Sequence, residues 1–295
     1  MFNALATVTA GGISLEPPEV ARTAAVFLGC VVMIGFAKWL RDLIATRRGH
    51  KLASLIVDRD NTPVAVETGA FVLAMTLGLL GALEVGRGQW WEQAIDLVGT
   101  GAIVMLVLLL NDQVISRLVL RGLDCNRAVV HDHNLAVAIV RAGGNVATAF
   151  ALSTALGHES ALWERVIWVV IGQVALVGLS LLYQRLTPYD DVAEVRQKNV
   201  AAALPMAGIL IAAGIVVRAT LAGDGGDWGD DLLSVAIDLA VSAVLVFVLR
   251  WVADRFLLPG STFHEEIARD KNAGVGFIEA VTYVSAALAA THFLN

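Results

Sequence analysis

Residues 198–208 read KNVAAALPMAG, and residues 133–143 read HNLAVAIVRAG. The same pattern begins at residues 60 and 271: a charged or titratable residue, then Asn, then a run rich in Ala, Val or Gly. The recurring residues are Asn61, Asn134, Asn199 and Asn272, spaced by 73, 65 and 73 residues. The recurrence predicts that one helical hairpin is used four times.

The composition is that of a membrane protein. Mean hydropathy is +0.70 and only 16% of the residues are charged, whereas soluble domains carry about 25%. A bilayer core about 30 Å thick needs about 20 mostly apolar residues per helix, and eight segments qualify, at roughly 23–43, 64–85, 93–113, 135–157, 163–185, 200–221, 232–256 and 273–293. Because lipid cannot satisfy backbone polar groups, we predict an all-α, polytopic membrane protein with eight transmembrane helices.

The basic residues predict the orientation. Of the 21 Lys and Arg residues, 16 lie in the four connections that precede the Asn positions, at 38–59, 117–127, 185–198 and 250–271. The positive-inside rule places these connections in the cytoplasm. We therefore expect a bacterial inner-membrane protein with both termini on the periplasmic side.

The chain also repeats at longer range. Asn61 corresponds to Asn199 and Asn134 to Asn272, both 138 residues later, and the segment Ala94–Leu97 recurs as Ala236–Leu239. We predict an N-terminal outer segment, 1–22, followed by two four-helix membrane repeats, 23–157 and 163–295. Each repeat has an even number of spans, so the two should be parallel.

Two kinds of helix alternate along the chain. We call the helix before each basic connection B and the helix after it A. The A helices are rich in small residues, which allow helices to approach closely, and the B helices are bulkier. We therefore predict that the A helices lie inside the bundle and that the B helices face lipid.

The motif from Lys198-Asn199 to Gly208, its close copy from His133-Asn134 to Gly143, and the segment 263–272 resemble the YjfL family of bacterial inner-membrane proteins, catalogued as domain of unknown function 350. The resemblance covers most of 20–295 as two tandem copies. It implies an integral membrane protein and supplies no established activity or catalytic residues. The first motif departs from the pattern, because Thr62-Pro63 follows Asn61.

The Asn residues have two interpretations. Asn at a helix start accepts hydrogen bonds from the free amides of the first turn, which is helix capping. Alternatively, the four could surround an axis and form a cytoplasmic vestibule.

An intramembrane charge layer is predicted from Glu67, Arg141 and Glu279, which stand six or seven residues after an Asn. Charges at that depth normally face a bundle interior or a water cavity. The repeat suggests an Arg141–Glu279 ion pair, with Glu67 as the alternative partner. The layer could fix the register between the halves, or it could act as a gate or proton-responsive element.

Asp96 and Asp238 form a second pair of equivalent positions, nearer the outer face. Each is predicted to lie within about two turns of the start of a B helix. The helix dipole favours acidic residues near an N-terminus. The alternative is an outer cation site.

Other classes of site find little support. His131-Asp132-His133 has metal-ligating residue types, but no second cluster completes a site, so no metal or cofactor is predicted. No catalytic constellation indicates an enzyme, and no basic stripe indicates nucleic acid. Residues 52–57 and 114–121 are expected to form helices on the inner lipid surface, with docking of a cytoplasmic partner as the alternative.

The leading functional hypothesis is a channel or transporter for ions or small cations. The rival is a membrane scaffold or stress-complex subunit that docks a cytoplasmic protein partner without transporting anything. A homo-oligomer is compatible with both.

Overall fold

A computed structural model describes residues 17–85, 89–157, 162–221, 228–257 and 261–294, and no strand occurs within these ranges. Eight of its helices are long and apolar enough to span a membrane: α1 Pro17–Arg47, α3 Thr62–Val85, α4 Trp90–Val114, α6 Leu135–Ala155, α7 Leu162–Leu186, α9 Val200–Thr220, α10 Trp228–Leu257 and α11 Ala273–Leu294. The prediction of an all-α membrane protein with eight transmembrane helices is confirmed.

Shorter elements join the long helices. They are the helices α2 Leu52–Val57, α5 Cys125–Val130 and α8 Asp191–Arg196, and two π turns, Ile115–Val119 and Glu265–Arg269. Of the predicted N-terminal outer segment, residues 1–16 lie outside the described residues, and α1 already begins at Pro17.

The A helices form a central row: α3 packs on α6, α6 on α9, and α9 on α11. We call each contact between consecutive A helices a seam. Three B helices lie over the seams: α4 packs on α3 and α6, α7 on α6 and α9, and α10 on α9 and α11. In the most apolar stretch of each helix, 44–78% of the residues are buried in the A helices and 6–28% in the B helices. The prediction that A helices lie inside is confirmed. The division into two parallel four-helix repeats stays a prediction.

Small residues let consecutive A helices approach closely. A Cβ atom on Gly143 would lie 2.7 Å from the Cα of Ala207, and one on Gly208 would lie 2.6 Å from the Cα of Ala280. Each Gly stands nine residues after its Asn, and each Ala stands eight residues after the next Asn. The same register therefore recurs at two seams, where any larger residue in place of Gly would push the helices apart.

Each A helix begins after a left-handed residue. Asp60, His133, Lys198 and Lys271 have φ angles of 48°, 51°, 65° and 52°. This conformation is uncommon outside Gly and carries a conformational cost, which the surrounding structure must offset. It turns the chain from the short element before each Asn into the membrane helix after it. We call this end of the bundle, where all four A helices begin, the Asn end.

The prediction for residues 114–121 is wrong. Instead of a helix on the lipid surface, α4 continues directly into the π turn Ile115–Val119. Ile115 and Val119 are buried in the protein core, where they gain more burial than a lipid surface would give them. Residues 52–57 do form a short helix, but Leu52 and Leu55 pack into the same core.

Candidate functional site

Each recurring Asn caps its A helix. The side-chain oxygen accepts a hydrogen bond from a first-turn amide, at the following N–O distances: Asn61 from Val64, 3.1 Å; Asn134 from Val137, 3.2 Å; Asn199 from Ala201, 3.0 Å; and Asn272 from Gly274, 3.1 Å. This geometry is that of the capping interpretation.

The other end of the side chain links neighbouring hairpins. Asn61 donates to the carbonyl of Val130 at 3.1 Å, Asn134 to that of Val195 at 2.9 Å, and Asn199 to that of Ile267 at 2.9 Å. Each acceptor lies just before the next Asn in the chain. The first three Asn residues therefore hold the seams of the row together at the Asn end.

Asn272 has no following hairpin, and it donates instead to its own neighbour Glu266, at 3.1 Å. The four caps follow an open row, because α3 and α11 are not packed together in the described part of the chain. A ring of four Asn residues within one copy, the basis of the vestibule interpretation, is therefore not supported.

A charge cluster joins three helices in the first half of the chain. Arg141 on α6 lies 2.8 Å from a carboxylate oxygen of Glu67 on α3 and 3.0 Å from one of Asp112 on α4. Arg41 on α1 lies 3.5 Å from Glu67 and also donates to its backbone carbonyl at 3.2 Å. Arg141 and Glu67 are almost fully buried, so each needs the other's charge.

The predicted Arg141–Glu279 pair does not form. The two residues lie on α6 and α11, and α9 stands between these helices in the row. The alternative partner, Glu67, is the one that Arg141 contacts. Equivalent positions of the two halves therefore lie one helix apart in the row and do not touch.

Glu279 belongs to a separate cluster in the second half. The Nε of Arg250 on α10 donates to its Oε1 at 2.7 Å, and the hydroxyl of Tyr283 donates to the same oxygen at 2.9 Å. Glu279 is fully buried, and the ring of Tyr183 packs edge-on against Tyr283 with a centroid distance of 5.7 Å.

The two clusters occupy equivalent positions with opposite charges. An offset of 138 residues carries Asp112 to Arg250, Arg141 to Glu279 and Asn145 to Tyr283. Asn145 donates to Asp112 at 3.4 Å, just as Tyr283 donates to Glu279. In both halves, therefore, one cation–carboxylate pair joins a B helix to an A helix, and a third side chain donates to the carboxylate.

Sequence reasoning found the A-helix members of these clusters and missed Asp112 and Arg250. Both lie in the last third of a B helix, and Arg250 is also the first residue of a basic connection. The 138-residue offset, applied to every charged residue, would have found them.

A cavity of about 670 Å³ opens beside the first cluster at the Asn end. Arg41, Glu67, Asp112 and Arg141 line it together with apolar residues of α1, α3, α4 and α5. Its volume is typical of sites for small molecules. The buried Nε of Arg141 makes no hydrogen bond to any described residue. Neither Glu279 nor Asp238 lines this cavity.

Four side chains lie beside the second cluster at the Asn end: Asp191 is buried, and Thr187, Tyr189 and His264 are half-buried. The hydroxyl of Thr187 donates to Asp191, and the ring of Tyr189 stacks on His264 with a centroid distance of 5.4 Å. Burial raises the pKa of the Asp191 carboxyl to about 7, against the opposing effect of the Thr187 hydrogen bond, and the negative charge of Glu279 adds to the increase.

The outer acidic residues are not brought together. Asp96 lies on α4 and Asp238 on α10, which cover different seams, and both side chains are half-buried. Asp96 is the seventh residue of α4 and Asp238 the eleventh of α10, because α10 begins at Trp228, earlier than predicted. The helix dipole acts mainly in the first turn, so it accounts for neither residue well. The outer cation site stays a prediction.

Comparison with known proteins gives one match. The family model described as Domain of Unknown Function (DUF350) matches residues 14–156, 114–182 and 157–294. These overlapping segments cover nearly the whole chain, as expected for tandem copies of the domain. No curated protein matches the chain, and no solved structure does.

Proposed function

The chain belongs to the DUF350 family of unknown function, and from its geometry we propose that it is a transport protein for a small ionised solute. The observation that carries the proposal is the cavity bordered by Glu67, Arg141 and Asp112. Charged residues within a membrane are costly and commonly mark ion or substrate pathways. Here Arg41 joins these three, so that four charged residues line a space large enough for a solute.

The cluster offers a chemical means of exchange. Arg141 is shared between two carboxylates, Glu67 and Asp112. A cation entering the cavity would compete with Arg141 for these carboxylates, and Arg41 would continue to hold Glu67 in place. The guanidinium of Arg141, once displaced from the carboxylates, would in turn be free to bind an accompanying anion.

The proposed direction of access follows from the basic connections. Arg48 and Arg117, which also line the cavity, belong to connections that the positive-inside rule assigns to the cytoplasm. The solute would therefore enter from the cytoplasm, with both termini in the periplasm and the protein in a bacterial inner membrane.

Flux through purified protein in liposomes tests the proposal, with protons, potassium, chloride and a polyamine as solutes. Ala45 lines the cavity, so Ala45→Trp should fill part of it and lower flux about tenfold. Ala102→Trp, on the exposed side of α4, is the matched control and should leave flux unchanged. Folded wild-type protein that carries none of these solutes would overturn the proposal.

A second candidate is a scaffold that transports nothing, and the packing of the A helices favours it. Gly143 and Gly208 bring the row into backbone contact, which leaves little room for a path between A helices. A scaffold would show no flux for any solute, and a cytoplasmic partner would co-purify through the connections at the Asn end. We propose no enzymatic activity for either role.

A further inference from the structure

The row of A helices is open at both ends. In their most apolar stretches, the inner helices α6 and α9 are 72% and 78% buried, whereas the end helices α3 and α11 are 50% and 44% buried. Among the B helices, α4, α7 and α10 each cover a seam and are 18–28% buried, whereas α1 is only 6% buried. The missing coverage is what one further A helix before α3, with α1 over the new seam, would supply.

At each end of the row, the seam hydrogen bond also has only one of its two partners: an Asn donor at the α11 end and a carbonyl acceptor at the α3 end. Asn272 lacks the carbonyl that the three earlier Asn residues find in the next hairpin. At the other end of the row, the positions equivalent to those acceptors are Ile56 and Val57, five and four residues before Asn61. Their carbonyls accept no hydrogen bond from the described residues, and 76% of Val57 is exposed.

The side chains at the two ends differ in size in a complementary way. Where α6 meets α9 and where α9 meets α11, Gly at the ninth position after one Asn packs on Ala at the eighth position after the next. On the free face of α11 the ninth position is Val281, which is 44% exposed. On the free face of α3 the eighth position is Gly69, and a Cβ there would meet nothing within 4 Å. The residue at the α11 end is therefore larger than the Gly found at this position in the seams, and the residue at the α3 end is smaller than the Ala.

We propose that two copies of this chain associate head to tail, with α11 of one copy packed on α3 of the next. In this contact Val281 lies over Gly69, Asn272 donates to the carbonyl of Ile56 or Val57, and α1 covers the new seam. The contact continues the pattern of the inner seams. It is heterologous, so repeated use closes a ring or extends a row.

Lipid would cover an apolar face equally well, but it does not account for Val in place of Gly at one end and Gly in place of Ala at the other. A lipid-facing end has no need for a Gly at the position that is Ala142, Ala207 and Ala280 in the other three A helices. The association does not depend on the proposed transport function.

Disulfide crosslinking between differently tagged copies tests the proposal, in a background with Cys30→Ala and Cys125→Ala. One copy carries G69C and the other V281C, and both are expressed together in membranes. We expect a crosslinked product that contains both tags. Gly178 on α7 also faces open space, so G178C with V281C is the matched control and should give no product. Absence of product from G69C with V281C, or equal product from the control, would overturn the proposal.

The mass of the protein in nanodiscs gives a second test. We expect wild-type assemblies of two or more copies and a loss of these assemblies for Gly69→Trp. Gly178→Trp should retain them. Wild-type protein that is monomeric at every concentration, or equal behaviour of the two variants, would contradict head-to-tail association.

Discussion

The two halves of the molecule use the same three positions for opposite charges. The first half has Asp112, Arg141 and Asn145, and the second has Arg250, Glu279 and Tyr283. In both, a cation–carboxylate pair joins a B helix to an A helix near the Asn end. The polarity is reversed and the contact is kept, so either polarity is compatible with packing between these helices.

What the halves do not share is the surroundings of the pair. Only the first has Glu67 and Arg41, and its cluster lines a cavity of about 670 Å³. In the second half the position equivalent to Glu67 is Pro205, and Glu279 is fully buried. We therefore assign the proposed transport to the first half, whose charge cluster borders the cavity.

The middle seam shows that charge is not needed to join these helices. The outer seams, between α3 and α6 and between α9 and α11, each have a charged pair beside them. At the equivalent positions of the middle seam, 22 residues before and seven after Asn199, stand Val177 and Met206. Buried ion pairs are often no more stabilising than apolar residues of similar volume. We therefore expect the charged pairs to add little to stability beyond what apolar residues at the same positions would supply.

Removal of Arg141 should have the largest effect. Arg141→Ala leaves Glu67 with only Arg41, and Asp112 without a cation, so we expect a loss of about 3–5 kcal/mol in the free energy of unfolding. Denaturant unfolding in detergent micelles measures it. Val177→Ala at the uncharged seam is the comparison and should cost less. Equal losses would show that the charges at the outer seams are dispensable.

Asp191 should make the second half sensitive to pH. Its pKa of about 7 in the folded protein lies above its ordinary value of 3.8. Between about pH 4 and pH 7 the folded protein keeps a proton that the unfolded chain has lost, so stability falls as pH rises through this window and stays lower above it.

Asp191→Asn removes this penalty. We expect the variant to gain up to roughly 4 kcal/mol at pH 8 and almost nothing at pH 4. Thermal unfolding at the two pH values measures the difference. A gain that is the same at both would contradict the raised pKa.

Reversing the polarity of the first pair should restore much of the stability lost with Arg141. In a Glu67→Gln background, which keeps the new carboxylate from facing Glu67, Asp112→Arg with Arg141→Glu copies the arrangement of Arg250 and Glu279 and should recover about 2 kcal/mol relative to Arg141→Ala. Each single variant is the control and should unfold more easily than the double variant. A double variant that is no better than the singles would show that the halves are not interchangeable.

The smallest expected difference separates an inner Asn from the terminal one. Asn134→Ala loses a helix cap and a buried seam hydrogen bond, whereas Asn272→Ala loses a cap and an exposed hydrogen bond to Glu266 within one copy. In monomeric, detergent-solubilised protein the first should cost about 1 kcal/mol more than the second. Thermal unfolding of the two variants side by side measures this, and equal costs would argue against the seam bond.

The sequence predicted the eight spans and the interior position of the A helices because apolar length and side-chain size decide both. It also identified the Asn caps, since an amide at a helix start has a local role. It could not predict that the same side chains bond to the next hairpin, because Val130, Val195 and Ile267 contribute only their backbone carbonyls, which carry no sequence signal.

The charge layer was only partly predictable. Depth in the membrane follows from position along a helix, so Glu67, Arg141 and Glu279 were found. Partners depend on which helices are adjacent, and the row order places α9 between Arg141 and Glu279. The cavity depends on how α1 and α5 pack at the Asn end, which no spacing in the chain specifies.

The most direct test of the account compares flux in liposomes between Glu67→Gln and Glu279→Gln. Both remove a buried carboxylate charge from the layer, but only Glu67 lines the cavity. We predict that Glu67→Gln changes the flux or its pH dependence and that Glu279→Gln leaves the flux per folded protein unchanged. Equal effects of the two variants, or an effect of Glu279→Gln alone, would contradict the assignment of function to the first half.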